Sequence, residues 1–428
     1  MKVGIDLRCL NYAKYTGINA YCIHILGCLS NMQSTPNTEI KFIGIGLKKT
    51  RLLELQTEFE LFNSLFSSHR TLEEYYGFDL KNTKLLELIS CIQIYNNNTL
   101  DLEYIEKFDY IIQPQPRLIK LNKDTKLISF FHDVYDLIEN KLRLNKILNN
   151  KKSWKLITDR CVQIVTNSRS TSIDTIKLLA VEDKKIKLIY PGTPDLDSFR
   201  NKSGLTKNRH PDLVFGSPTT KTKSVNKSTS TNCSIGLEGE SLSLNTHTGV
   251  VNPFQTMEKK PYVLAISGIE PRKNWHNLLL AFKDLQSNNN YKTKLILAGT
   301  IVDQKYYKYL LKLIQKHKIE NVDWIIEPKE SLKNNLISDC KFLVYPSFYE
   351  GFGFPILEAQ KYKKNILTSK NSSLLEINLN HIFINPNNYK SIANGILLLE
   401  KSEFVQSKIE FNWDELQKYV HNLFITCR

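Results

Sequence analysis

The sequence predicts an α/β protein made of two doubly wound, parallel-sheet domains that face each other across a cleft. Three observations lead there. Short β-branched runs alternate with longer amphipathic stretches, the signature of strand-helix-strand units; the alternation runs twice along the chain; and a polar stretch with little to bury separates the two series. A chain of 428 residues exceeds one ordinary domain of about 100 to 200 residues, so each half has the length to bury its own core.

The first series spans residues 1–200. Its strands read as "KVGIDL", "IKFIGIG", "DYIIQ", "KLISFF", "VQIVTNS" and "KIKLIY", with helical patterns that include Gly17 to Leu29 and Ser170 to Leu179. From 201 to 258 the chain turns to Ser, Thr, Asn, Lys and Gly, as in "SPTTKTKSVNKSTSTNCS". Structureless loops beyond about 15 residues are uncommon in compact domains, so this segment is expected to be a disordered linker or insertion. The second series fills 259–405, with "YVLAIS", "TKLILAG", "NVDWII", "KFLVYPS", "NILTS" and "HIFINP" as strands. The tail, 406–428, carries "FNWDELQKYVHNLFI", an amphipathic helix with Asn412 as its N-cap. Open parallel sheets bind ligands outside the carboxyl ends of their strands, which sets the expected site in the cleft.

The composition is that of a globular protein except in charge. A formal balance of +15 implies attraction to an anion: nucleic acid, an acidic membrane face or a phosphorylated small molecule. No recognition-helix module, zinc motif or aromatic-basic sheet signature accompanies the charge, so nucleic acid is not the expected partner. No Gly-x-Gly-x-x-Gly follows a strand, which argues against a nicotinamide dehydrogenase. The eight cysteines are widely spaced and read as reduced packing thiols of a cytosolic protein. No apolar run approaches the roughly 20 residues that cross a bilayer, and "MKVGIDLRCL" is interrupted by Asp6 and Arg8 too soon for a secretory signal. The expected location is cytoplasmic, with any membrane contact peripheral.

The stretch with most chemistry is "FYEGFGFPILEA", Phe348 to Ala359. It follows the strand "KFLVYPS", and Pro355 suits the first turn of a helix because its missing N–H costs nothing there. Glu350 then falls in the loop and Glu358 one turn into the helix. Gly351 and Gly353 let the backbone approach a ligand closely. Backbone amides at a helix start suit an anionic or hydroxyl-rich ligand, and carboxylates accept from sugar hydroxyls.

With these residues, two glutamates seven residues apart around "GFGFPIL", the chain resembles the retaining nucleotide-sugar glycosyltransferases of family 4, which have the GT-B fold. The resemblance implies that Glu350 contacts the donor sugar, that Glu358 holds the ribose hydroxyls, and that the amides of Phe352, Gly353 and Phe354 touch sugar hydroxyls and phosphate. "SGIEPRKNWHNLLLAF", Ser267 to Phe282, resembles the family's donor-phosphate segment and makes Arg272 and Lys273 the cations that receive the diphosphate. Two preorganised cations aimed at a departing diphosphate stabilise the transition state more than the ground state.

Further segments follow the family's order. "TGINAY", Thr16 to Tyr21, is similar to its Thr-Gly-Ile loop, in which Gly17 lets the backbone near the diphosphate and acceptor; Asn19 stands where the family has a small residue. "FFHDVYDL", Phe130 to Leu137, resembles its His-Asp motif, so that His132 would contact the sugar or acceptor and Asp133 would support it. In "TNSRSTSIDTI" Ser168 and Ser170 are read as helix caps. The tail resembles the helix that crosses back onto the N-terminal domain in these enzymes. The chain departs from the family after Glu358, where "AQKYKKNIL" puts Lys363 and Lys364 in place of a turn glycine. Glu376, in "NSSLLEI", is either near the nucleotide or a cap.

The resemblance implies transfer of a hexose, mannose-like by the opening "GIDLR" and "TGI", from a nucleotide-sugar co-substrate to a glycan or lipid-linked acceptor in cell-surface polysaccharide or lipopolysaccharide assembly. It implies neither cofactor nor metal, and no Asp-x-Asp stands at a strand end to hold Mg²⁺. The alternative is a catalytically weakened GT-B-like subunit or scaffold, suggested by the altered turn and the long insertion. "KLRLNKILNNKKSWKLITDR", Lys141 to Arg160, interleaves cations with Leu, Ile and Trp154 as a helix on an anionic membrane would. A solvated helix face reads the same way.

Overall fold

The structure, a computed structural model, describes residues 1–11, 17–30, 41–46, 100–101, 107–138, 144–192, 261–328, 330–377, 382–403 and 411–425. The low-complexity segment 201–258 and Thr16 lie outside the described residues.

In the first lobe the strands are β1 (Lys2–Asp6), β2 (Lys41–Ile45), β3 (Leu100–Asp101), β4 (Tyr110–Gln113), β5 (Ile119–Lys120), β6 (Lys126–Phe131), β7 (Cys161–Thr166) and β8 (Ile186–Leu188). The second lobe has β9 (Tyr262–Ile266), β10 (Lys294–Gly299), β11 (Val322–Ile326), β12 (Phe342–Tyr345), β13 (Asn365–Ser369) and β14 (Ile382–Ile384). Among the described residues each lobe holds a six-stranded sheet, ordered β2-β1-β4-β6-β7-β8 and β11-β10-β9-β12-β13-β14, and every pairing in them is parallel. In the second sheet the order reverses between β9 and β12. That is a topological switch point, where the two neighbouring loops diverge and leave a crevice.

Both faces of each sheet are covered, which is why the strands read as near-continuous apolar runs. Val3, Ile5, Ile128 and Phe130 face the helix Gly17–Ser30 through Tyr21, Ile25 and Leu29, while Ile111, Leu127, Phe131 and Ile164 pack on the other side with Ile157 and Leu179. In the second lobe Val263, Leu295 and Val344 pack on the helix Trp275–Asn289, and Leu264, Ile296 and Leu343 on the helices Glu330–Asp339 and Phe354–Lys361.

The helix Asp414–Ile425 belongs to the core of the first lobe, where its Leu416 and Val420 are buried with Tyr21 and Ile25. Trp413 stacks on the buried His24 with ring centroids 3.7 Å apart. Burial pushes the His24 imidazole down to about 3. Asn412 accepts from the amide of Asp414 at 3.1 Å, so it caps the helix as its residue type predicts.

Two local expectations need refinement. Ser168 caps the helix Arg169–Leu179 by accepting from the Thr171 amide, but Ser170 is inside its first turn and donates its own N–H to Glu376. The turn after Glu358 forms without glycine: Lys363 takes φ +55°, and the Lys364 amide closes on the carbonyl of Ala359 at 2.9 Å. A left-handed backbone at a residue with a Cβ costs about 1 to 2 kcal/mol, which the buried helix and strand on either side outweigh.

Candidate functional site

The loops after β9 and β12, the two strands at the switch point, carry the cations and the loop glutamate. Pro271–Lys273 forms one 3-10 turn after β9, and Asn274 follows in the left-handed region at φ 60°. The Asn274 side-chain amide donates to the carbonyls of Pro346 and Pro386 at 2.9 and 2.7 Å, and the Phe348 amide donates to the Arg272 carbonyl at 2.9 Å. These bonds lash the two loops side by side.

Lys273 and Glu350 therefore meet in the interior. Lys273 Nζ lies 2.7 and 2.8 Å from the two carboxylate oxygens of Glu350, and both residues are buried. Arg272 Nη1 stands 3.7 Å from Glu350 and 3.5 Å from Asp133 of the opposite lobe, while its Nη2 donates to Glu270 at 2.8 Å. Its guanidinium also lies over the Tyr135 ring, 5.3 Å from the centroid. Burial by itself would raise the Glu350 carboxyl, but the charges of Lys273 and Arg272 outweigh it and hold the group below its ordinary range. Burial likewise works against the charge on Arg272, and Glu350, Glu270 and Asp133 overcome it. The result is a desolvated charge cluster joining both lobes.

The opposite wall comes from the end of β6. His132 Nε2 lies 2.6 Å from the carbonyl of Pro114, so that nitrogen carries the proton and donates. Burial lowers the imidazole's pKa, which leaves it neutral near pH 7. Its backbone touches the glutamate loop: a Cβ on Gly351 would fall 1.9 Å from the His132 carbonyl oxygen. Thr171 Oγ1 reaches that carbonyl at 3.4 Å and the Gly351 carbonyl at 3.5 Å. The expected close approach of Gly351 is thus made to the other lobe's backbone. Gly353 takes φ +109° and precedes the helix Phe354–Lys361, a conformation that favours glycine.

Residues 252–415 match the family described as glycosyl transferases group 1. That match covers the second lobe.

The chain also aligns in part with curated proteins. It is 32% identical over 158 residues to an O-antigen chain mannosyltransferase B of Escherichia coli, covering 36% of this chain and 39% of that one. It is 26% identical to the O-antigen chain mannosyltransferase RfbU of Salmonella typhimurium, covering 40% and 48%. The matched stretches thus span less than half of either relative. Across the whole chain the fold is GT-B. Solved structures similar to it include Anabaena HepE in complex with UDP and glucose, with TM-score 0.53, 14% identity and 100% and 94% coverage. Another is the sucrose-phosphate synthase of Thermosynechococcus elongatus, at 0.57, 11%, 100% and 98%.

Of the residues the sequence singled out, the structure brings Glu350, Arg272, Lys273 and Asp133 into one cluster, with His132 adjoining through its backbone. Glu358 stands apart in the helix Phe354–Lys361, paired with Lys333 at 3.0 Å. Gly17 opens the helix Gly17–Ser30, and the neighbouring Ile18 lines a cavity together with His132 and Asp133. Phe352 is buried against Phe354 and Phe411 and its carbonyl accepts from Ser373, so its aromatic ring serves packing.

Several supporting residues escaped sequence reading. Ser372 accepts from the Glu350 amide at 3.0 Å, and Ser373 donates to the Glu350 carbonyl at 2.9 Å. Together with Asn371, which donates to the Phe348 carbonyl at 2.8 Å, they hold the glutamate loop. Glu376, left open between nucleotide and cap, accepts from the amides of Arg169 and Ser170 at 2.8 and 2.7 Å and from the Tyr190 hydroxyl at 2.9 Å. It caps a helix of the other lobe. The only local sign of this set was the polar run "KNSSLLE" after β13, which reads equally as a turn.

Proposed function

We propose that the protein is a retaining glycosyltransferase that moves a hexose from a nucleotide-sugar to a glycan or lipid-linked acceptor. The observation that carries this reading is the buried contact of Lys273 and Arg272 with Glu350 at the switch point between β9 and β12. Such a crevice is where open α/β sheets take nucleotides. In it, Arg272 and Lys273 receive the diphosphate, Glu350 grips hydroxyls of the donor sugar, and Glu358, held by Lys333, takes the ribose hydroxyls. The backbone at Gly17, Phe352, Gly353 and Phe354 lines the phosphate path, and His132 and Asp133 form the wall toward the acceptor.

The chemistry is a front-face substitution. The acceptor oxygen bonds to the anomeric carbon on the side from which the diphosphate leaves, the anomeric carbon–oxygen bond breaks, and a leaving phosphate oxygen takes the acceptor's proton. The leaving charge grows next to Arg272 and Lys273, fixed cations in a desolvated cluster, where electrostatic stabilisation is strongest. These cations can supply the positive charge that a metal supplies elsewhere, so the reaction is proposed as metal-independent. A mannose-like sugar and a role in surface polysaccharide assembly rest on the likeness to the two O-antigen mannosyltransferases.

The test is a thermal-shift and transfer assay of the purified chain with GDP-mannose, UDP-glucose and UDP-N-acetylglucosamine. A ligand at a hundred times its Kd adds about 2.7 kcal/mol to stability. Transfer with retention should survive chelator, and Arg272→Ala should lower kcat by on the order of a hundredfold or more. No stabilisation by any nucleotide-sugar, or a wild-type rate retained in both Arg272→Ala and Glu350→Ala, would favour the scaffold reading instead.

A further inference from the structure

The opening turn of a helix leaves backbone N–H groups with no partner inside the helix. In the helix Arg169–Leu179 the first internal bond runs from the Ser172 amide to the Ser168 carbonyl at 3.0 Å, so the amides of Arg169, Ser170 and Thr171 need partners elsewhere. Thr171 donates to the Ser168 hydroxyl at 3.0 Å. Arg169 and Ser170 donate at 2.8 and 2.7 Å to the two carboxylate oxygens of Glu376, which stands on the second lobe in the helix Leu374–Ile377. Tyr190 completes the seat by donating its hydroxyl to Glu376 at 2.9 Å. Burial and that carboxylate push the hydroxyl up to about 12, so it keeps the proton it donates. A negative charge at this end also answers the helix dipole.

The same helix carries the joint between the lobes. Thr171, next to the Glu376 seat, reaches the carbonyls of His132 and Gly351 at 3.4 and 3.5 Å, where the two backbones abut. Further along the helix, Asp174 accepts from the Tyr349 hydroxyl at 2.8 Å. Tyr349 adjoins Glu350 in the chain and stacks on Tyr135, over which the Arg272 guanidinium lies. On the second lobe Glu376 follows Ser372 and Ser373, which hold the Glu350 amide and carbonyl at 3.0 and 2.9 Å. The Glu376 carboxylate therefore ties the segment that supports the glutamate loop to the helix that supports the His132 wall.

We infer that Glu376 is a positioning residue for the transfer step: seated on the start of the helix Arg169–Leu179, it sets the placement of the His132 and Asp133 wall against the Glu350 loop without touching the nucleotide-sugar. Its loss leaves the donor half of the site whole, because Lys273 is bonded to Glu350 and the Phe348 amide to the Arg272 carbonyl, all within the second lobe. What goes is the register between that half and the wall opposite, and a misplacement near 1 Å can cost on the order of a hundredfold in rate. The inference rests on the glycosyltransferase reading for the word transfer, while the tie between the lobes rests on the hydrogen bonds alone.

The test compares the full-length wild type with Glu376→Ala and Glu376→Gln in two arms. The first is steady-state transfer from GDP-mannose, UDP-glucose or UDP-N-acetylglucosamine, whichever the wild type turns over. Glu376→Ala should lower kcat at least tenfold with the donor KM within twofold of wild type. Glu376→Gln, whose amide oxygen still accepts from one backbone N–H, should restore kcat at least threefold relative to the alanine variant. The second arm is small-angle X-ray scattering with no donor present, in which Glu376→Ala should show a larger radius of gyration than wild type and Glu376→Gln an intermediate one. Should the alanine variant fold poorly, the glutamine variant carries both readouts. A kcat within twofold of wild type in Glu376→Ala would overturn the inference. So would a donor KM that rises in step with the loss, which places Glu376 on the donor, or an unchanged radius of gyration, which leaves it a helix cap only. If the wild type turns over no nucleotide-sugar while the scattering still orders the three proteins as expected, the tie between the lobes stands and the transferase reading fails.

Discussion

The Cα of Gly351 abuts the backbone of His132 across the cleft, so closely that a methyl group there would lie 1.9 Å from the His132 carbonyl oxygen. Two lobes meet at this point with no side chain between them. Gly351→Ala should therefore hold the lobes apart while leaving each sheet and its core intact. A misplacement near 1 Å can cost on the order of a hundredfold in rate. The expected outcome is that loss in kcat/KM with a Tm change of a few degrees or less, measured by transfer assay and calorimetry; activity within twofold of wild type would refute it.

Lys273 and Glu350 form a buried ion pair with both carboxylate oxygens within 2.8 Å of Nζ. Removing one partner of such a pair strands the other charge, at a cost of about 3 to 5 kcal/mol. Lys273→Met should thus lower stability by that order in chemical denaturation. Glu350→Gln in the same background should recover part of the loss, because the stranded charge is gone. A double-mutant cycle with no coupling would show that the two do not interact energetically.

His24 titrates far below its ordinary value, near 3 in the folded protein, because it is buried against Trp413. The unfolded chain, with a His pKa near 6.5, then binds more protons than the folded one below that pH. Stability is full above about pH 6.5 and declines as pH falls from there toward 3. Between pH 7.5 and 5.5 this one group should remove about 1.4 kcal/mol. In His24→Phe, which keeps a ring against Trp413, the decline over that interval should be smaller by about this amount. An identical pH profile in the two proteins would assign the acid sensitivity elsewhere.

Lys363 occupies a left-handed turn that favours glycine, at φ +55°. Lys363→Gly relieves about 1 to 2 kcal/mol of steric strain and adds some unfolded-chain entropy, for a net stabilisation of about 1 kcal/mol. Denaturant midpoints of the two proteins measure it directly. A destabilised variant would mean that the lysine side chain makes a compensating contact.

The alternation of apolar strands with amphipathic helices, and the glutamate loop entering a helix near Pro355, were legible in the chain because they are local: period, turn chemistry and capping act within a few residues. So was the resemblance carried by "FYEGFGFPILEA" and "SGIEPRKN". What only the tertiary structure decided is which distant groups share a dielectric. Arg272 faces Asp133, Glu376 caps the helix begun by Arg169, and Trp413 covers His24, each across more than a hundred residues. Nothing in the spacing of those residues encodes the pairing. Their partners are set by how the two sheets pack, and the charges of Arg272, Asp133 and Glu376 are kept because that packing puts opposite charges or backbone amides within reach.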